Sequence, residues 1–221
     1  MTMTLAPRNE DELAEVVQAA IANDTPLDVC GASSRRGLGR PMVASTRVSS
    51  AEMSGVTFYE PSELVLVAQS GTPLATITAL LDQQGQELAF EPIDYGPLFG
   101  GDADAGTIGG MIATNASGPR RVKAGAARDH LLGFRAVNGR GEVFQSGGRV
   151  MKNVTGYDMS KLMAGSFGTL GAFSELTVKV LPKAETQTTL AVVGLDEPIA
   201  IEILTYASGL PQEVSGLAHL P

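Results

Sequence analysis

The sequence predicts an α+β protein, with a large first domain over residues 1–182 and the start of a second, truncated α+β domain over 183–221. Three observations carry this expectation. Helix-type and strand-type apolar periodicities alternate along most of the chain. The 26 glycines among 221 residues exceed the usual share, and several of them mark three turns, at 31–39, 106–118 and 165–171, each beside a predicted strand or helix. A polar stretch at 182–188 then precedes a strand–helix–strand beginning that cannot close a core alone.

The elements follow in order. Leu13, Val16, Val17, Ala20 and Ile21 recur at helical spacing, so 9–22 is a helix, with Asn9 and Glu12 as its start signal. Pro26 precedes a short strand at 27–30, which runs into the turn Gly31-Ala32-Ser33-Ser34-Arg35-Arg36-Gly37-Leu38-Gly39. Strands are expected at 56–60 and 64–69, the second apolar almost throughout and therefore buried on both faces. Thr72 and Pro73 open a helix with Leu74, Ile77, Leu80 and Leu81 on its apolar face, ended by Gly85. A short strand at 87–90, a loop at 91–105, a short helix at 107–114 and an irregular stretch at 115–128 come next. Asn138-Gly139-Arg140-Gly141 between 131–137 and 142–145 is a hairpin signal. A helix at 157–164 with Met159, Leu162 and Met163 inward, a strand at 173–181 and Pro182 complete the first domain. Beyond it the pattern predicts a strand at 190–195, a helix at 197–207 and a further strand at 214–220.

Composition narrows the function. Apolar residues make up 43% of the chain, enough for a core, and a formal net charge of −8 argues against nucleic acid or an anionic membrane as the main partner. A single cysteine, Cys30, leaves no intrachain disulfide and no Cys pair for zinc or an iron–sulfur cluster. The only histidines, His130 and His219, stand far apart, so no metal site is expected. The first residues lack an apolar signal region and no apolar run is long enough to span a membrane, so the expected location is the cytoplasm. Small residues and freed amides in the Gly-rich turns suit an anionic, extended ligand. Neither the Gly-x-x-x-x-Gly-Lys-Ser/Thr nor the strand–Gly-x-Gly-x-x-Gly–helix fingerprint is present. Three separate turns fit FAD better than ATP.

Gly106-Thr107-Ile108-Gly109-Gly110, Ser117-Gly118-Pro119-Arg120-Arg121 and Gly125-Ala126-Ala127-Arg128-Asp129-His130 together resemble the FAD-binding domain of the vanillyl-alcohol oxidase family, also called PCMH-type. The strings at 150–158 (Val-Met-Lys-Asn-Val-Thr-Gly-Tyr-Asp) and 165–171 extend the match and are similar to the glycolate oxidase branch of that family. The resemblance implies two α+β subdomains with FAD between them. It places the pyrophosphate on Ala32, Ser33, Ser34, Arg35, Arg36 and Gly37. Gly106, Thr107, Ile108, Gly109, Gly110, Ala113, Asn115, Ser117 and Gly118 would line the flavin and phosphates, with Gly125, Arg128, Asp129 and Gly171 along the cofactor path. Such proteins oxidise glycolate or D-lactate, small 2-hydroxy acids, to the 2-oxo acid. They work in a complex with a related flavoprotein subunit and an iron–sulfur subunit that takes the electrons, so any membrane association would be peripheral and through partners.

Departures from the family pattern matter. Ala32 stands at the second glycine of the first loop and Phe167 where relatives often carry Glu. No His or Cys lies within 31–37 or 106–118, so FAD is expected to be noncovalent. A structural subunit with weak or lost FAD binding is the alternative. No catalytic base can be named. Lys152 and Asp158 read as an ion pair or helix cap, Tyr157 and Cys30 as packing residues, and His130 as a residue at a strand start. Arg120 and Arg121 are open between phosphate, glycolate and a partner surface.

Overall fold

The structure, a computed structural model, describes residues 2–40, 43–149 and 156–220. Its first unit comprises β1 (Met3–Leu5), α1 (Glu10–Ala22), β2 (Leu27–Cys30) and β3 (Thr46–Ser49). The strands form a parallel sheet in the order β1-β3-β2, with Thr46 opposite both Met3 and Leu27. α1 carries the chain from β1 to β2 on the other side of β3, the crossover that parallel strands need. Its start is set by Asn9, whose Oδ1 accepts from Glu12 N (2.9 Å) while Glu12 Oε2 accepts from Arg8 N (2.8 Å). Leu13 and Val17 on its apolar face are buried with Val48, Met53, Val137 and Ala172, so one small core joins this sheet to the next.

The second unit runs β4 (Val56–Glu60), β5 (Val65–Gln69), α2 (Leu74–Asp82), β6 (Gln86–Glu87), α3 (Ile108–Thr114), α4 (Arg121–Ala124), α5 (Ala127–His130), β7 (Leu131–Val137), β8 (Val143–Gly147), α6 (Met159–Met163), β9 (Ala172–Lys179) and β10 (Leu181–Pro182). Its main sheet is antiparallel in the order β4-β5-β9-β7-β8, and β6 pairs with β10 beside it. All four residues 65–68 are buried, as their unbroken apolar run predicts. The core sets Leu66, Leu176 and Val178 of the sheet against Ile77 and Leu81 of α2 and Ile108, Met111 and Ile112 of α3. Phe134 meets Phe144 and Phe173 edge-on, at 5.4 and 5.6 Å between centroids. Asn138 Oδ1 closes the β7–β8 turn by accepting from Arg140 N (2.8 Å) and Glu142 N (3.1 Å).

Several expectations are corrected. Residues 190–195 and 214–220 are not strands. Leu190 and Val193 are each 88% exposed, and among the described residues no strand pairs with this segment. The helix between them exists as α7 (Glu197–Ser208), yet only Ala200 of it is buried. Thr72 does not cap α2. Its hydroxyl instead donates to Gln69 O (2.7 Å) and accepts from Gly55 N (2.9 Å), and Pro73 takes the cap position. The strand expected at 87–90 is only Gln86–Glu87, while Leu88, Ala89 and Phe90 turn into the core. The stretch at 115–128 holds the single turns α4 and α5. Tyr157 and Leu162 are exposed rather than inward, since α6 is one short turn whose buried side is Ser160 and Met163. β1 and β3 had no strong local signal. Lys152 and the rest of residues 150–155 lie outside the described residues.

Candidate functional site

α3 is a seven-residue helix held from both ends. At its start Thr107 accepts from Gly110 N (3.2 Å), while Ile108 N and Gly109 N donate to Thr72 O (3.0 Å) and Ser70 O (2.8 Å) beyond β5. Beyond its last turn, Gly165 N and Phe167 N of the third Gly-rich turn donate to Ile112 O (3.1 Å) and Ala113 O (2.8 Å). That same turn lies on β2, where a Cβ on Gly168 would stand 3.4 Å from Val29 Cβ. The first loop reaches α3 from the other side. A side chain on Gly31 would collide with the Thr107 hydroxyl, so glycine there is what lets loop and helix cap meet.

These approaches enclose a cavity of about 880 Å³ between the two units, a size usual for small-molecule sites. Of the residues predicted from sequence, Ala32, Ser33, Ser34, Arg35, Arg36, Thr107, Gly109, Gly110, Ala113 and Gly171 lie on its wall. Ser33 takes a left-handed φ of 62°, which turns the loop sharply after β2. Among the described residues, the backbone N–H groups of Ala32, Ser33, Ser34 and Arg35 reach no acceptor within the protein. Two side-chain atoms on the wall, Arg35 Nε and Ser70 Oγ, are buried and unpartnered. Arg36 and Arg47 share the buried Asp28, at 2.5 and 3.1 Å. Amides without an acceptor, a guanidinium without an ion partner and small residues fit an elongated anionic group such as the FAD diphosphate.

The other predicted positions lie off this wall. Ile108 is wholly buried in the core. A side chain on Gly37 would collide with the Phe99 ring. Gly106 borders a second cavity of about 500 Å³ on the far side of α2. Asn115, Ser117, Gly118, Arg128 and Asp129 are taken up by hydrogen bonds within the protein, and Gly125 by a turn. Asn115 Oδ1 accepts from Arg128 N (2.9 Å), Ser117 Oγ from Ala127 N (2.8 Å) and Asp129 Oδ2 from Ala126 N (2.9 Å). Gly118 N donates to Glu91 O (2.8 Å), and Gly125 takes a φ of 88° to enter α5. Arg120 forms a bidentate pair with Glu87 (2.7 and 3.1 Å), whereas Arg121 is exposed.

Residues not predicted also form the wall. Phe167, Gly168 and Thr169 belong to the third Gly-rich turn, which the sequence did mark, while Ser70 ends an apolar strand and carried no signal. Cys30, expected in packing, also borders the cavity, and its strand is only half-buried. His130 is fully buried, with Nε2 2.8 Å from Ala124 O and Nδ1 3.3 Å from Lys179 O, and Phe90 edge-on at 5.1 Å. Burial pushes its pKa below the usual imidazole value. That places it in the core and away from the cavity. Asp158 caps α6 through Lys161 N (3.3 Å) and pairs with the Lys161 ammonium.

The fold is two α+β units with a cavity between them whose wall fits a dinucleotide. The family model for an FAD binding domain matches residues 1–147, and the chain belongs to that family. It is 41% identical to glycolate oxidase subunit GlcE of Escherichia coli strain K12 over 208 residues, which is 94% of this chain and 57% of the relative. It is 35% identical to a D-lactate dehydrogenase of Anaerostipes hadrus over 82% of this chain and 37% of that protein. With glycolate oxidase subunit GlcD of Bacillus subtilis strain 168 it shares 30% identity over 84% of this chain and 38% of the relative. The chain thus spans about half the length, or less, of these relatives. A solved alkyldihydroxyacetonephosphate synthase superposes with a TM-score of 0.65 at 21% identity, over 83% of this chain and 32% of the other, which shows the fold.

Proposed function

We propose that this chain is the FAD-binding part of one subunit of a multi-subunit 2-hydroxy-acid oxidoreductase, acting on glycolate or D-lactate and passing electrons to an iron–sulfur subunit. The observation that carries the reading is the cavity between the two units, with four open amides and an unpaired guanidinium on its wall. Similarity to glycolate oxidase and D-lactate dehydrogenase proteins supports the substrate class. FAD, when bound, supplies the hydride acceptor. The chain's own residues hold it: the 31–37 loop takes the diphosphate, and Thr107, Gly109, Gly110 and Ala113 present a surface of small groups along α3. Asp28 on the same wall is committed to two arginines and cannot serve as base. The base and the iron–sulfur centre are assigned to the rest of the assembly, a related flavoprotein subunit and an iron–sulfur subunit, which a single cysteine here supports. Residues 183–221 are read as the beginning of the substrate-side domain, the complex as cytoplasmic. Among the described residues no helix is long and apolar enough to cross a membrane.

The alternative of a subunit with lost FAD rests on Ala32. That residue needs no glycine conformation, because the left-handed turn is taken by Ser33. The test is direct. The purified chain should be yellow, and denaturation should release free FAD into the supernatant, since the binding is read as noncovalent. Flavin remaining on the precipitated protein would overturn noncovalent binding and point to Cys30. A folded, colourless protein that takes up no added FAD would sink the proposal.

A further inference from the structure

Residues 184–221 hold the acids Glu185, Asp196, Glu197, Glu202 and Glu213 and no lysine or arginine, in a chain whose net charge is −8. All of these acids are exposed, and none forms an ion pair among the described residues. On α7 acids and apolar residues share a face: Asp196, Ile199, Glu202, Ile203 and Tyr206 recur at spacings of three and four, which stacks them on one side of the helix. Ile199, Ile203 and Tyr206 are exposed, whereas Ala200 is the buried residue of the helix. An apolar stripe left open on a helix is a contact surface without its contact. The opposite composition stands on α4 and α5. Arg121, Lys123 and Arg128 are exposed and without an ion pair among the described residues, around Val122, which is 78% exposed. The segment after α7 returns to this place, since a Cβ on Gly216 would stand 3.2 Å from Arg120 Cγ. Within one chain the two surfaces nevertheless stay unpaired, because no ion pair joins them among the described residues.

We propose that the acidic, apolar face of α7 docks on the basic surface of α4 and α5 in a second copy of this chain, giving a two-fold dimer. Each copy carries both surfaces, so a two-fold axis makes the contact twice and leaves neither surface open. Burial of Ile199, Ile203, Tyr206 and Val122 supplies the attraction. Opposite charge sets the pairing, and the acids of two α7 helices would repel if those faces met each other. None of these residues lines the larger cavity, so FAD neither makes nor breaks the dimer.

Sedimentation equilibrium of the 221-residue chain, with and without added FAD, measures the dimer constant. The wild type should dimerise with a dissociation constant of about 1–100 μM, weakened by about tenfold between ~0.05 M and ~0.5 M salt. Arg121→Glu/Lys123→Glu on one surface, and Asp196→Asn/Glu202→Lys on the other, should each weaken the dimer by about tenfold or more. An equimolar mixture of the two variants should pair again, because the reversed charges then face each other. Arg140→Glu, on the exposed β7–β8 turn, should dimerise as the wild type does. Melting temperatures should match throughout, since every substituted residue is exposed. A wild type that stays monomeric at ~1 mM would overturn the proposal and leave α7 to a further stretch of polypeptide or to another protein. Dimers that survive either reversal, a mixture that fails to pair, or a constant indifferent to salt would also overturn it, and the salt titration needs no variant. Flavin absorbance of the same samples scores FAD uptake separately, so a monomer that binds FAD removes this inference alone, and a dimer without flavin removes only the FAD reading.

Discussion

Two stretches of small residues, 31–37 and 115–129, carry the same kind of sequence and are built in opposite ways. In the second, Asn115, Ser117 and Asp129 accept from Arg128 N, Ala127 N and Ala126 N, so the loop satisfies itself. In the first, four successive residues on a cavity wall have amides that reach no acceptor among the described residues, and one buried guanidinium lacks an ion partner. Buried polar groups are costly to leave unmet, so most loops resolve them internally. A loop that leaves them open on a cavity wall is organised for something that arrives later. The difference separates a loop whose polar groups are taken up within the protein from one whose groups are left on a cavity wall, which glycine content alone does not.

The largest expected effect tests where scaffold ends and cavity begins on α3. A Cβ on Gly109 would stand 2.7 Å from Ser70 O and 2.8 Å from Ser70 Cβ, and the Gly109 amide is bonded to that same carbonyl. Gly109→Val should therefore cost about 3 kcal/mol or more and give little folded protein, read by urea denaturation. Gly110→Val meets only the Thr107 hydroxyl at 3.3 Å and Arg35 Nη1 at 3.5 Å, so it should fold and lose FAD. Two equally folded variants would show that α3 is not seated as described.

Next in size is Ser117→Ala. It strands the buried amide of Ala127, whose 2.8 Å bond to Ser117 Oγ is its satisfied contact. The expected loss is ~1–3 kcal/mol in urea denaturation. Undiminished stability together with weakened FAD binding would move Ser117 from scaffold to site and break the comparison between the two loops.

His130 adds a pH dependence to the scaffold side. It is buried beside two backbone carbonyls, and its pKa lies below the unfolded value of 6.5, chiefly through desolvation. The unfolded chain then binds the proton more readily than the folded one. Stability from this group is full above about pH 6.5 and declines as the pH falls through the interval down to the folded pKa. His130→Gln should flatten that limb of the stability–pH curve. FAD affinity measured at pH values where the protein stays folded should not follow it.

What was legible in the sequence tracks how local each signal is. α1, β5 and the β7–β8 hairpin rest on near neighbours: a cap three residues away, an unbroken apolar run, an Asn–Gly turn. The strands expected at 190–195 and 214–220 needed a partner edge, which composition cannot supply. The first loop's place on a cavity wall follows glycines and arginines at a strand end, a local signal. Ser70 was not, since its place on the wall depends on α3 docking against β5. The network at 115–129 looked like a cofactor loop because the bonds that occupy it link residues ten and more positions apart.

The smallest expected effect bears on the first loop itself. The resemblance implies a glycine where Ala32 stands, and so a weakened phosphate turn. The geometry argues otherwise. Ala32 is exposed and not at positive φ, while Ser33 beside it adopts 62°. A non-glycine residue in that region costs of order 1 kcal/mol unless its surroundings hold it. Ala32→Gly should thus change FAD affinity by less than about twofold, and lower stability by up to ~1 kcal/mol through a more flexible unfolded chain. Ser33→Gly relieves the strained φ and should leave stability within ~1 kcal/mol of wild type, because relief in the folded state offsets the added freedom of the unfolded one. A tenfold tightening of FAD by Ala32→Gly would mean that residue 32, not 33, limits the turn. It would also make lost cofactor binding the better account of why the glycine is absent.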